Sequence, residues 1–182
     1  MITWNARGLN DARKTHKVVA YLQRHGVDLA LRQETHLAQG SPMLTPRRMQ
    51  GNILASGYTS HSRGVLIWAS RSLGLRLQEV ETDPNGRYIV VRCGNGAATF
   101  LFVGIYGPNF DNPKFYYDLA AKAGNWGGFP QVWEGDFNCT LDPLLNRSGG
   151  ARRRPASAAR ALKEIAEELG LVDLWRCRHP AK

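Results

Sequence analysis

The sequence predicts an α/β fold, a layered sandwich with mainly antiparallel sheets inside and helices outside. Three observations lead there. The elements run strand, helix, strand, several strands, helix, strand, helix, without the regular alternation of a doubly wound sheet. Within the run of strands, Asp83-Pro84-Asn85-Gly86 and Gly94-Asn95-Gly96 are tight-turn sequences, which join antiparallel neighbours. A length of 182 residues with 43% hydrophobic and 21% charged side chains suits one domain with a real core.

The elements follow in order. Ile2 to Trp4 read as a short strand ending at Asn5. Arg13 to His25 read as a helix with an apolar face at Val18, Val19 and Leu22, stopped by Gly26. Val27 to Gln33 form a second strand, and Ser41 to Met49, with two prolines, form a loop. From Asn52 to Ile105 the pattern is strands and turns. Its apolar or alternating runs are Gly64 to Ala69, Leu75 to Glu81, Tyr88 to Arg92 and Thr99 to Ile105. Asn112 caps a helix to Ala123, with Pro113 at its first position. Gln131 to Glu134 is a short buried strand, and Ser157 to Leu169 an amphipathic helix closed by Gly170. Leu171 to Trp175 begin another strand. With no repeat, low-complexity tract or linker, residues 1–182 are expected to form a single domain.

Bulk properties narrow the function. No apolar run reaches the roughly 18 residues of a membrane span. Met1-Ile2-Thr3-Trp4-Asn5 lacks the charged-then-apolar pattern of a secretory signal. A net charge of +9, mostly from Arg, favours a polyanionic partner, because cations that neutralise phosphates release counterions. Cys93, Cys139 and Cys177 are far apart and odd in number, which argues against a disulfide framework or a zinc site. That usage fits a reducing compartment, nucleus or cytoplasm. Cys139 reads as a small packing residue.

The chemistry gathers at four strand ends, where a rigid sheet holds side chains and loops leave them open. Asn5 follows the first strand, and Glu34 follows the second in Gln33-Glu34-Thr35-His36. Tyr106 and Asn109 lie in Tyr106-Gly107-Pro108-Asn109, and Asp136 and Asn138 in Gly135-Asp136-Phe137-Asn138. Each cluster alone has a bland reading, since Asp and Asn favour turns and a lone Glu caps or solvates a strand end. Their conjunction in one order carries the argument. Glu34 supplies a carboxylate and Asn5 a neutral oxygen to a hard cation such as Mg²⁺. Asp136 can take a proton from a water, Asn138 can orient it, and Tyr106 offers a hydroxyl to a phosphate oxygen. Together they could support in-line attack on a phosphodiester.

These residues also carry a resemblance. Trp4-Asn5-Ala6-Arg7-Gly8-Leu9, Leu31-Arg32-Gln33-Glu34-Thr35-His36, Arg63-Gly64-Val65-Leu66-Ile67, Gly86-Arg87-Tyr88, Tyr106-Gly107-Pro108-Asn109, Gly135-Asp136-Phe137-Asn138 and Leu141-Asp142-Pro143-Leu144 occur in that order. The chain resembles the endonuclease/exonuclease/phosphatase superfamily over nearly its whole length. Within it, the chain is most similar to the apurinic-type endonuclease domain of LINE-type (non-LTR) retrotransposons. Gly8-Leu9-Asn10-Asp11, Gln33-Glu34-Thr35-His36 and Asp142 to Ser148 carry that narrower likeness.

The resemblance implies a four-layer α/β sandwich and a Mg²⁺-dependent nick in DNA, with Mn²⁺ as an alternative ion. It implies Glu34 as metal ligand with Asn5 close by, and Asp136 and Asn138 on the nucleophilic water. Tyr106 would meet the scissile phosphate, with Asn109 near the substrate. In such elements the nick exposes a 3′-hydroxyl that primes reverse transcription, so a reverse transcriptase domain in the same parent polyprotein is implied, and a monomer is expected.

The sequence departs from the family pattern in two ways. Members end with further strands carrying another Asp and a closing Asp-His pair, which clamps the scissile phosphate. This chain ends at Lys182 without that pair, and His179, in Arg178-His179-Pro180, reads as structural. The expectation is a domain lacking its last strands, less stable and weakly active or inactive alone. Asn146 also stands where an acidic residue is common.

Among smaller features, Arg152, Arg153 and Arg154 form a basic loop suited to a DNA backbone, with solvated charge as the plain alternative. His16, His25 and His61 read as surface residues, and His36 as structural despite its place beside Glu34. Trp4, Trp133 and Trp175 are expected in the core, and Trp126, in a Gly-rich loop, could stack on a base. Two other functions stand beside the nuclease: a phosphatase, sphingomyelinase or deadenylase on the same fold, and an inactive nucleic-acid-binding relic.

Overall fold

Apolar residues in alternation build two sheets in the computed structural model, which describes residues 1–40, 51–96, 98–141 and 156–179. The elements are β1 (Ile2–Asn5), α1 (Ala12–Arg24), β2 (Leu29–Gln33), β3 (Gly51–Ser56), β4 (Val65–Ser70), β5 (Arg76–Thr82), β6 (Tyr88–Gly94) and β7 (Thr99–Tyr106). They continue with α2 (Pro113–Gly124), β8 (Gln131–Asp136), α3 (Ser157–Leu169) and α4 (Leu174–Arg178). The chain divides into two compact units, Met1–Gly107 with Trp126–Asp136, and Pro108–Asn125 with Phe137–Lys182.

The first unit holds both sheets, in the orders β1-β2-β4-β3 and β5-β6-β7-β8. In each, one pairing is parallel (β1 with β2, β7 with β8) and the other two are antiparallel. The mainly antiparallel sandwich expected from the turns is what forms. Leu29, Leu31, Val65 and Ile67 of one sheet pack with Ile89, Val91 and Phe102 of the other. The sheets approach so closely that a Cβ on Gly104 would lie 2.6 Å from Leu31 Cδ1, so any larger residue would have to push that side chain aside. On the other face of the first sheet, Val18 and Leu22 of α1 cover Ala30, Leu66 and Trp68. Asp11 starts that helix, accepting from the backbone N–H groups of Arg13 and Lys14.

In the second unit α2 packs on α3. Asn112 Oδ1 accepts from Phe115 N, the cap that the Asn-Pro pair predicts. The Asp111 carboxylate accepts from Ser157 N at 2.9 Å and Ala158 N at 2.7 Å, capping α3. Those backbone bonds hold its carboxyl below the usual carboxylate range.

Three expectations need correction. Leu171 to Trp175 do not form a strand. The chain turns into α4 at Leu174, because the Asp173 side chain caps it, accepting from Arg176 N at 3.0 Å. Trp4 and Trp175 are not core residues: they are 40% and 61% exposed. Trp4 lies on the edge strand β1, and Trp175 stacks on His179 at 3.9 Å. The edge strand β3 also falls outside the four runs named above. It opens on Gly51-Asn52 and closes on a serine, so its apolar signal is short.

Central strand β2 is buried throughout, including Arg32 at 3% exposure. Among the described residues its Nε and Nη2 find no hydrogen-bond partner, and burial pushes the guanidinium pKa down to about 10. A buried charge without compensation destabilises, and even a buried ion pair is often replaced by apolar residues of similar volume with a gain of about 1–4 kcal/mol. Arg32→Met is therefore expected to raise the urea midpoint. A midpoint that falls would mean that the guanidinium is satisfied.

Candidate active site

Four of the strand-end residues meet in the first unit. Asn5 ends β1, Glu34 follows β2, and Tyr106 and Asp136 are the paired last residues of β7 and β8. Asn5 Nδ2 donates to Glu34 Oε1 at 2.9 Å and to Asp136 Oδ2 at 3.1 Å. The Tyr106 hydroxyl donates to the same Glu34 Oε1 at 2.9 Å. The amide orientation has a cause, since Arg7 N donates to Asn5 Oδ1 at 3.2 Å and turns the NH₂ toward the carboxylates. Residues 5, 34, 106 and 136, remote in sequence, thus form one bonded cluster.

The backbone around Glu34 is strained, and its neighbours hold it there. Among the described residues, the non-glycine positions with left-handed φ are Arg7, Glu34 (51°), His36 (54°), Arg63 and Asn138 (50°). Each such residue costs about 1–3 kcal/mol and persists only where surrounding structure over-determines it. Here Gly8 N donates to Glu34 O at 2.6 Å and Leu9 N to Thr35 O at 2.7 Å. From the other side, Thr35 N donates to Gly64 O and His36 N to Arg63 O. The loop is stitched on both flanks, which explains why Trp4-to-Leu9, Gln33-to-His36 and Arg63-Gly64 occur together.

Gly135 shapes the other wall. Its φ is 145°, and a Cβ there would lie 2.0 Å from Ile105 O, its partner across β7 and β8. Gly107 N donates to Asp136 O at 2.7 Å, closing the two strand ends on each other. The glycine before Asp136 is thus a packing requirement for placing that carboxylate beside Tyr106.

In the second unit, Asn138 Nδ2 donates to Asn109 Oδ1 at 3.1 Å, so the residue expected to orient the water pairs with one expected near the substrate. Both are exposed. Arg152, Arg153, Arg154 and Asn146 lie outside the described residues.

Two residues outside the strand-end positions also approach the cluster. Arg87 appeared only as part of a motif. Its backbone oxygen accepts from Tyr106 N at 2.7 Å, its Nη1 donates to Gly107 O at 3.0 Å, and its guanidinium lies 5.5 Å from the Tyr106 ring centroid. His36 brings Nε2 to 3.9 Å from Glu34 Oε2, nearer the site than a purely structural role required. Cys139 is half-buried and burial raises its thiol pKa, in keeping with packing rather than reactivity. His16, His25 and His61 are exposed as expected.

The donor set fits one class of ion. Among the described residues no three His, Cys, Asp or Glu side chains gather into a metal-binding group. A closed protein cage of the kind that holds zinc or calcium needs such a group. Mg²⁺ differs: it keeps several waters and needs only one or two carboxylates. Glu34 and Asp136 provide two, tied to one amide, and Glu34 Oε2 lies beyond hydrogen-bond length from His36.

The cluster thus sits on strand ends contributed by both sheets, β1 and β2 of one and β7 and β8 of the other. The chain belongs to the Endonuclease/Exonuclease/phosphatase family, whose sequence profile matches residues 2–178. It is similar to a transposon TX1 uncharacterized 149 kDa protein of Xenopus laevis, 24% identical over 181 residues that make up 98% of this chain and 14% of that protein. The chain therefore spans a small part of this relative. In fold it is similar to an AP endonuclease from Archaeoglobus fulgidus, with a TM-score of 0.74 at 22% identity, covering 99% of this chain and 74% of the other. It is also similar to the endonuclease domain of TRAS1, a telomere-specific non-LTR retrotransposon, with a TM-score of 0.60 at 16% identity, covering 92% and 68%. The family and the sandwich class are those the sequence motifs implied.

Proposed function

We propose that this chain is a metal-dependent phosphodiesterase that nicks DNA, as one endonuclease-type domain working with Mg²⁺ or Mn²⁺. The observation that carries the reading is the bond set in which Asn5 joins the Glu34 and Asp136 carboxylates while Tyr106 donates to Glu34. Glu34 is the carboxylate that holds the ion. Asn5 keeps the two carboxylates in register, and rotation of its amide offers Oδ1 as a neutral ligand. When bound, the ion polarises a phosphoryl oxygen and offsets charge that develops during attack. Asp136 accepts a proton from the attacking water, and Asn138 orients that water. Tyr106 donates to a non-bridging phosphate oxygen, with its ring and backbone steadied by Arg87. Asn109, Arg152, Arg153 and Arg154 meet the DNA backbone.

DNA is preferred as substrate for two reasons. The +9 charge suits a polyanion, and the motif order resembles retrotransposon endonucleases. The size of the transposon relative supports a larger polyprotein around this domain; we propose that a reverse transcriptase in it extends the 3′-hydroxyl left by the nick. The nuclease domain itself is proposed to act as a monomer. None of the described helices is long and apolar enough to cross a membrane.

A substrate panel tests this reading. Supercoiled plasmid, an abasic oligonucleotide, poly(A) and inositol phosphates are incubated with the chain and Mg²⁺. Conversion of plasmid or abasic DNA to nicked product, with the others spared, is expected. Faster turnover of poly(A) or inositol phosphates would place the chain with the deadenylases or phosphatases of the family.

A further inference from the structure

The exposed face of α1 is chemically one-sided. Its charged residues are Arg13, Lys14, Lys17 and Arg24, and the helix has no acid. Soluble helices commonly interleave acids and bases at i+3 or i+4. Here Arg13, Lys17 and Arg24 are exposed, and among the described residues none of them is ion-paired. One flank of this helix also carries rings. Trp4 meets Tyr21 edge-on at 5.5 Å, and Tyr21 lies 4.2 Å from His25. Trp4 and Tyr21 remain 40% and 43% exposed.

These residues are aligned. Lys14, Tyr21 and His25 share one stripe of α1 by their spacing, with Lys17 and Arg24 beside it. Lys14 Nζ donates to Arg7 O at 2.8 Å, which ties the start of the stripe to the segment just after Asn5. From there it follows the 13-residue helix, a length of about 20 Å.

We propose that this stripe is a docking surface for single-stranded DNA adjoining the cut. The cations meet phosphates, and bases stack on Tyr21 and Trp4. Stacking rings in a basic groove are how strands are held without sequence readout, and a duplex hides the base faces that such rings need. The choice of DNA rests on the nuclease reading above; the choice of a single strand rests on the rings.

The test is fluorescence anisotropy of a labelled oligothymidylate in EDTA, against wild type, Tyr21→Ala and a Lys17→Glu/Arg24→Glu double variant. Alanine is a good helix former and Tyr21 is exposed, so the first variant keeps the fold, which circular dichroism checks. The expected results are about tenfold weaker binding for Tyr21→Ala and a salt slope smaller by about 1.4 for the double variant. Equal affinity in all three proteins overturns the proposal. So does duplex DNA or oligouridylate bound more tightly than oligothymidylate with the same dependence on Tyr21. Arg76→Glu, which reverses an exposed cation on β5 outside the stripe, serves as control and should bind the oligonucleotide as wild type does. If no form nicks plasmid yet binding still depends on Tyr21, the nuclease reading fails and this inference stands. If wild type nicks plasmid and Tyr21→Ala binds unchanged, the reverse holds.

Discussion

Glu34→Ala lowers the rate of plasmid nicking by about 10²-fold or more while leaving the unfolding midpoint nearly unchanged. The magnitude is that of removing one preorganised electrostatic group from an active site. The substitution removes a carboxylate that accepts from both Asn5 Nδ2 and the Tyr106 hydroxyl. Stability changes little because Glu34 is half-exposed and its strained backbone is held by bonds from residues 8, 9, 63 and 64, which alanine keeps. Glu34→Gln separates the two roles of the carboxylate. It preserves an acceptor for Tyr106 but not the charge, so its rate should fall almost as far as that of alanine. A glutamine variant with wild-type turnover would show that geometry, and not charge toward a cation, is what Glu34 supplies.

Gly135→Ala is expected to destabilise the fold by on the order of 3 kcal/mol, at the upper end for overpacking. The added Cβ would lie 2.0 Å from Ile105 O, inside the pairing of β7 with β8. Backbone cannot yield there without opening the strand ends that carry Tyr106 and Asp136. At φ 145° an L side chain is strained even in open space. Urea unfolding reads the loss directly. A midpoint within experimental error of wild type would mean that the strand ends are looser than their hydrogen bonds imply.

The site was more legible in the sequence than parts of the fold. Asn5, Glu34, Tyr106 and Asp136 each follow a run that reads locally as a strand, so their placement at strand ends needed only short-range pattern. What the sequence could not give is the bonding among them, because contacts between residues 5, 34 and 136 depend on which strands neighbour which. Arg87 went unassigned for the same reason: its partners, Tyr106 and Gly107, lie across a β6–β7 pairing. The error at Leu171 to Trp175 was local. A short apolar run cannot by itself separate strand from helix, and the decisive signal was the cap at Asp173. Trp4 misled because β1 is an edge strand, where an apolar residue on a strand need not be inside.

The proposed function makes the Asn5–Glu34–Tyr106–Asp136 cluster a metal-dependent DNA-cutting centre. Its most direct test is a single-turnover assay with supercoiled plasmid and excess protein, in Mg²⁺ and in EDTA, for wild type and Asp136→Asn. Open-circular product that forms only for wild type and only in Mg²⁺ is the predicted result. Equal conversion in EDTA, equal conversion by Asp136→Asn, or no conversion by any form would contradict it.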